Sequence, residues 1–262
     1  MENIKTETYL GMVDAIKSLN RADLNNLDKL ESLKIAELGR VTSYYIPFDY
    51  VNTKAKVVLV GITPGMTQLV NALSSAKNSI ERGLDPEEAL RQAKNKGAFS
   101  GALRNKLVEM LDHAGLNAKL GLTTCMSLFD EHSHLVHTTS LLRHAVFVKG
   151  EAYSGHTPKM LKNPLMLKMI DDYFKEEVKL LPDAIYIPLG KSVSIVMEKL
   201  VADGVIKESQ VLLGMPHPSG SNGEPIAYFL GRKKKADLTG VDGDAADLTK
   251  ASILRKIQEL NF

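Results

Sequence analysis

The chain has one cysteine, Cys125, and no tryptophan among its 262 residues. A single thiol excludes an internal disulfide, a cysteine-ligated zinc and an iron–sulfur cluster held by this chain alone. Charge of one sign is also lacking: 33 Lys and Arg against 31 Asp and Glu leave a net charge of +2. Nucleic-acid binding therefore cannot be argued from global charge, and any basic surface must be local. No apolar run approaches the roughly 20 residues that span a bilayer. Met1–Glu7 has no basic stretch followed by an apolar one, so no secretory leader and no membrane association are expected, and the compartment expected is the cytoplasm. What is present, 44% hydrophobic and 24% charged residues, is ordinary for a globular protein.

Periodicity organises the rest. Leu10, Val13, Ile16 and Leu19, then Leu24, Leu27, Leu30 and Leu33, recur at spacings that predict helix over about residues 7–40. An aromatic patch, Tyr44–Tyr50, follows. Lys56–Val60 reads as the first strand, and 66–93 as a helical insertion in which Asp85-Pro86 is a good helix start. Asn95–Gly101 reads as a loop. Leu103, Leu107, Met110, Leu111 and Ala114 stripe a helix that Gly115 stops. Leu135–Thr139 is a second strand, and Arg143–Lys162 a basic loop. A helix with Leu165, Met169, Ile170, Tyr173 and Phe174 inward comes next. Ala184–Ile187 is a third strand, Val193–Val201 a helix and Val211–Leu213 a fourth strand. Thr249 is placed to cap a closing helix, and Leu238–Asp247 reads as a mobile loop. Alternating strands and helices imply a parallel sheet covered on both faces. The expected architecture is α/β, a three-layer α/β/α arrangement around a central four-stranded, mainly parallel sheet. It is expected as a single domain: a helical extension over 1–50, a core over 56–223, and a basic loop with a C-terminal helix over 224–262.

Two loops are the most informative. Gly61-Ile62-Thr63-Pro64-Gly65 follows Val57–Val60, and Met215-Pro216-His217-Pro218-Ser219-Gly220-Ser221-Asn222-Gly223 follows Val211–Leu213. Turns at the carboxyl ends of parallel strands form the floor of a binding crevice in open α/β sheets. Between them lie Gly97–Gly101 with Phe99, a strand ending at Ser140, and Ile187-Pro188-Leu189-Gly190. Five such fragments in this order, from about Lys56 to Gly223, resemble the uracil-DNA glycosylase superfamily, in the branch without cluster cysteines.

The resemblance implies a DNA glycosylase that needs no cofactor or metal and has DNA as its partner, contacted at the backbone and at one flipped base; a monomer is expected. Cutting a sugar–base bond places negative charge on the departing base, and a hydrogen-bonding group must meet it. That role falls to His217. Phe99 is the stacking wall, and Gly61, Ile62, Pro64 and Gly65 line the base site with Thr63 at the water-positioning place. There the family carries aspartate or asparagine. A threonine hydroxyl orients water but is no base near neutral pH, and losing a general base costs about 10²–10⁴ in rate. Ser140 stands where the family reads the base with asparagine. One short hydroxyl cannot grip a uracil edge bidentately. The implied substrate is therefore an altered pyrimidine rather than plain uracil, such as a hypermodified cytosine in phage DNA.

Phosphate contacts are expected from Ser219, Ser221 and Asn222, from the run Arg232-Lys233-Lys234-Lys235, and from Arg143, Lys149, Lys159 and Lys162. No apolar wedge follows His-Pro-Ser, which moves that role to Met215 or Met66. Two other readings stand beside this one. The first is a catalytically inactive nucleic-acid-binding member of the same fold. The second is a metal-dependent hydrolase built on Glu131, His132, His134, His137 and His144, although on a strand His132 and His134 would face away from His137.

Overall fold

The computed structural model describes residues 6–262; the first five residues, which carry most of the stretch in which no leader was found, lie outside the described residues. In chain order come helix α1 (Thr6–Ser18), strands β1 (Lys34–Leu38), β2 (Val41–Tyr44) and β3 (Val57–Gly61), and helices α2 (Met66–Glu81), α3 (Pro86–Gly97), α4 (Ala102–His113) and α5 (Leu116–Lys119). Strands β4 (Val136–Ser140), β5 (Ala145–Val148) and β6 (Glu151–Ala152) precede helices α6 (Pro164–Met169) and α7 (Lys175–Lys179). Strand β7 (Ile185–Pro188) and helices α8 (Lys191–Ala202), α9 (Gly223–Phe229) and α10 (Gly243–Glu259) complete the chain. The fold is mixed α/β, with a three-stranded parallel sheet of order β4-β3-β7 and a four-stranded antiparallel sheet of order β1-β2-β5-β6. Two compact units divide the residues, each gathered from three chain segments. One holds residues up to Thr53 with Ile62–Ser100 and Thr138–Pro182; the other holds Lys54–Gly61, Gly101–His137 and Asp183–Phe262. The expected divisions at 1–50, 56–223 and 224–262 do not coincide with them.

The first unit corrects the N-terminal expectation. Only Thr6–Ser18 is α-helical, burying Tyr9 and Ile16 and leaving Leu10 exposed. Leu24, Leu27, Leu30 and Leu33 are spaced at three residues, which is the 3₁₀ period rather than the α period. They ride on three successive 3₁₀ turns, Arg21–Asp23, Leu27–Lys29 and Glu31–Leu33, and the Asn26 side chain accepts from Asp28 N at 3.0 Å to cap the second. The chain then forms β1 and β2, which the leucine spacing hides. The expected basic loop after Arg143 contains β5 and β6 instead, turning at Lys149 (φ 54°) and Gly150 (φ 80°), the left-handed pair that a two-residue hairpin requires. Helices α2 and α3 form as expected. Pro86 opens α3, and the Asp85 side chain caps it by accepting from Glu88 N at 3.0 Å. The helix runs past Asn95 to Gly97, where a Cβ would stand 2.8 Å from that of Ala72 and 2.9 Å from the Phe48 ring. A π-helical turn, Ile170–Phe174, joins α6 to α7.

In the second unit β3 is buried at every residue and pairs in parallel with β7, from Val57 opposite Ile185 to Val60 opposite Pro188. A run of aliphatic residues buried on both faces is what a parallel strand needs. The fourth strand does not form. Val211 and Met215 make only isolated bridges, to Tyr186 and Leu189, because Gly214 between them takes φ +118° and breaks the extended run. The closing helix is capped by Asp242, whose side chain accepts from Asp244 N and Ala245 N; Thr249 lies inside α10 and bonds back to Ala245 O. Residues 243–247, expected in a loop, are its first turns. Among the described residues no helix is long and apolar enough to cross a membrane.

Candidate functional site

Three of the five sequence motifs are tied together in the first unit. The Ile62–Gly65 turn leads into α2, and Gln68 on its first turn accepts from Gly65 N (2.7 Å) while donating to Ser100 O (3.0 Å). Asn71 donates to the Ser100 hydroxyl at 2.9 Å. These bonds hold Phe99 at φ 49°, a left-handed conformation rare for an aromatic residue. Strain of this kind costs on the order of 1–3 kcal/mol and persists only where the surroundings over-determine it. Phe99 is half-buried and packs on the apolar core of this unit. The segment after Ser140 returns to the first turn: Leu142 N donates to Ile62 O at 3.0 Å. Thr63 Oγ1 donates to His144 O at 2.8 Å and accepts from Val146 N at 3.0 Å. The Thr63 hydroxyl is thus spent on fixing the backbone, and only one lone pair is left to orient a water.

Behind this turn lies a cluster that periodicity does not reveal. Arg143, expected at a DNA surface, is 7% exposed and enclosed by carboxylates. Its Nε donates to Glu177 at 2.7 Å, and Asp49 stands 3.6 Å from its Nη1. Tyr45 donates to Asp49 at 2.6 Å. Lys94, fully enclosed, donates to the carbonyls of Phe48 (3.2 Å) and Tyr50 (2.6 Å), and burial pulls its ammonium pKa down to about 8. His144 is fully buried, its ring 4.8 Å from that of Tyr173, which the π turn presents edge-on. Burial, reinforced by the Arg143 charge, lowers the His144 pKa to about 3, so the ring is neutral. Burial outweighs the nearby cations at Asp49 and raises its pKa. Arg143 is a structural cation, because its charge is already met inside the fold.

The other two motifs meet in the second unit. Gly190 N donates to Met215 O at 2.9 Å, joining the Leu189-Gly190 turn to the His-Pro-Ser loop. Gly190 has φ +87°, and a Cβ there would stand 2.7 Å from the His217 Cβ. Only glycine meets both demands. Gly190→Ala should therefore cost about 1–3 kcal/mol in urea unfolding and shift the His217 ring signals in NMR spectra; unchanged signals would separate the two turns. His217 Nδ1 accepts from Ser219 N at 3.3 Å, which places the ring proton on Nε2. Burial lowers the His217 pKa to about 4, so at neutral pH the ring is an uncharged Nε2–H donor. His217 also lines a cavity of about 520 Å³ formed wholly by residues of this unit, with Gly190, Met215 and Asn222 beside it.

Several expected contacts are corrected. Met215 is 2% exposed and Met66 packs on the core of the first unit, so neither projects as a wedge. Ser219 and Ser221 share a hydrogen bond of 3.0 Å, and Asn222 donates to Ser219 Oγ at 2.8 Å, so this loop is braced by its own side chains. In the basic run, Arg232 pairs with Glu109, Lys233 with Glu224, and Lys235 with Asp244 (2.5 Å) and Asp247 (2.9 Å). Lys234 is exposed. The local excess of positive charge is largely cancelled. His132 and His134 sit on the turns before β4 rather than on a strand, with rings 6.1 Å apart, while His137 is buried in β4. Among the described residues no three His, Cys, Asp or Glu side chains stand where they could hold a metal ion. Glu131, His132, His134, His137 and His144 thus form no ligand set among the described residues. Cys125 is buried, and burial followed by Asp112 raises its thiol pKa strongly.

No protein-family model matches the chain, and no solved structure matches it. The chain is similar to "Uncharacterized protein YoxB" of Bacillus subtilis (strain 168), with 31% identity over 222 residues that cover 84% of this chain and 85% of the relative. The chain belongs to the family of YoxB.

Proposed function

We propose that the chain is a DNA glycosylase of the uracil-DNA glycosylase type, which hydrolyses the N-glycosidic bond of an altered pyrimidine and leaves an abasic site. The observation that carries this reading is the state of His217. A neutral imidazole whose Nδ1 accepts a backbone N–H offers Nε2–H as a preorganised donor. Such a donor stabilises negative charge growing on a leaving base without a proton being transferred beforehand. The reading assigns Phe99 to stacking against the extruded base and Ser140 to its polar edge.

Thr63 bears on the substrate. Its hydroxyl, already shared between His144 O and Val146 N, supplies no base to activate water. A site without that base suits a pyrimidine that departs more readily than uracil, and Ser140 leaves room for a larger one. Excision of hypermodified cytosine from phage DNA is the specific form of the proposal. It is tested by incubating genomic DNAs of different natural modification with the protein and reading the released bases by mass spectrometry. Release of a modified pyrimidine is expected; release of uracil alone overturns the substrate assignment. Ser140→Asn should restore a bidentate grip and raise uracil release by about tenfold or more, read on a uracil oligonucleotide.

The Thr63 geometry also favours a second reading, a nucleic-acid binder without chemistry. That reading predicts DNA binding with no abasic sites on any substrate.

A further inference from the structure

The cavity beside His217 takes only part of its lining from the motifs. Phe99, Ser140 and Thr63 are absent from its walls, which come from α8, the 213–217 segment, α9 and the 240–250 stretch. Its volume, about 520 Å³, lies within the roughly 300–1,000 Å³ typical of small-molecule sites. Ile195, Leu213, Tyr228 and Phe229 make the wall mainly apolar. Ile195 is 47% exposed. Lys191 and Lys250 belong to the lining together with Glu198, and Lys250 Nζ lies 5.7 Å from the Phe229 ring. The nearby Asp242 carboxylate is occupied with the first amides of α10.

One wall is held by a cluster of polar bonds. Gly240, Val241 and Asp242 belong to the lining, and the Glu224 carboxylate holds this segment by accepting from Thr239 N (3.1 Å), Thr239 Oγ1 (3.0 Å) and Gly240 N (2.7 Å) while pairing with Lys233. Water competes for such bonds far better than for a packed apolar contact, so the wall can yield while the helices stay fixed.

We propose that this cavity is a binding site for a small aromatic molecule carrying one anionic group, with the aromatic body against Tyr228 and Phe229 and the anion toward Lys191 and Lys250. The site shares His217 with the glycosylase reading, and probe binding does not depend on that reading. Its occupant touches Gly190 and the Met215–His217 turn, so binding bears directly on the His217 loop.

The test uses the full chain and two probes, 8-anilinonaphthalene-1-sulfonate and its uncharged relative N-phenyl-1-naphthylamine, titrated by fluorescence with stoichiometry from calorimetry. One sulfonate probe per chain is expected, bound about fivefold or more tightly than the neutral one. Ala246→Trp fills the cavity and should abolish binding. Should that variant fold poorly by circular dichroism, Lys191→Glu with Lys250→Glu, both changes at the lining, should weaken the sulfonate probe about tenfold and leave the neutral one unchanged. Glu224→Gln should speed association. Non-saturable binding, binding unaffected by a folded Ala246→Trp, or equal affinity for the two probes would each overturn the assignment.

Discussion

His217→Ala should lower abasic-site formation by about 10²–10³-fold, the usual consequence of removing one preorganised donor from a developing anion. The same variant should bind DNA as tightly as the parent. The pH dependence follows from the lowered His217 pKa. On the proposed reading the active form is the neutral ring, which loses its neutrality only as the pH falls toward about 4. The rate should therefore stay flat on the acid side from pH 7 to about 5, where an ordinary histidine would already have titrated. Single-turnover base release across this range, scored by alkaline cleavage at abasic sites, checks both statements. A decline centred near pH 6.5 would mean that the ring is not held as the loop geometry implies. Unchanged abasic-site formation by His217→Ala would remove the residue from the chemistry.

Glu177→Ala should be strongly destabilising, costing about 3–5 kcal/mol, because it takes from the enclosed Arg143 guanidinium its nearest carboxylate and leaves Asp49 at 3.6 Å. For a chain of this size the loss corresponds to roughly a 10 °C fall in Tm. Glu177→Gln, which keeps an oxygen to accept from Arg143 Nε, should cost less than Glu177→Ala. A Glu177→Ala variant as stable as the parent in urea would refute the burial of this pair.

Acid adds a second test of the same cluster. The His144 pKa, lowered to about 3 in the folded chain, lies below the unfolded value near 6.5. The unfolded chain therefore takes up the proton first, and stability present above pH 6.5 is lost progressively as the pH falls toward 3. Asp49, raised by burial, works in the opposite direction: its contribution declines as the pH rises through its own titration. The His144 part is isolated by comparison with His144→Phe, which keeps a ring against Tyr173 and should flatten the acid limb of the stability curve.

Much of the parallel framework was legible in the sequence. Val57–Val60 announces a doubly buried strand by its unbroken aliphatic character, Asp85-Pro86 announces α3, and the stripe Val193, Val196, Met197 and Leu200 announces α8; all form, and the stripe is buried. The antiparallel sheet was hidden for physical reasons. Lys34–Leu38 has no alternation because it is only partly covered, and β2 and β5 are four residues each. The leucines at spacing three mimic a helix stripe and serve 3₁₀ turns. The fourth strand failed at Gly214, whose φ cannot be read from the letters around it. At the candidate site, sequence order singled out His217, Phe99 and the turn after β3. It could not find Asp49, Lys94, His144 and Glu177. Charged and polar side chains far apart in sequence read as surface until folding encloses them together, and the same enclosure removes Arg143 from any phosphate.

The segment boundaries also order the birth of the molecule. Every residue of the unit that carries Thr63, Phe99 and Ser140 has been synthesised once Pro182 is added, whereas the unit that carries His217 still awaits Asp183–Phe262. On a ribosome the first can settle around its enclosed charges while the second has no β7 to pair with β3. The imidazole, its glycine neighbour and the cavity wall all follow Pro182, so a nascent chain halted there still lacks the imidazole.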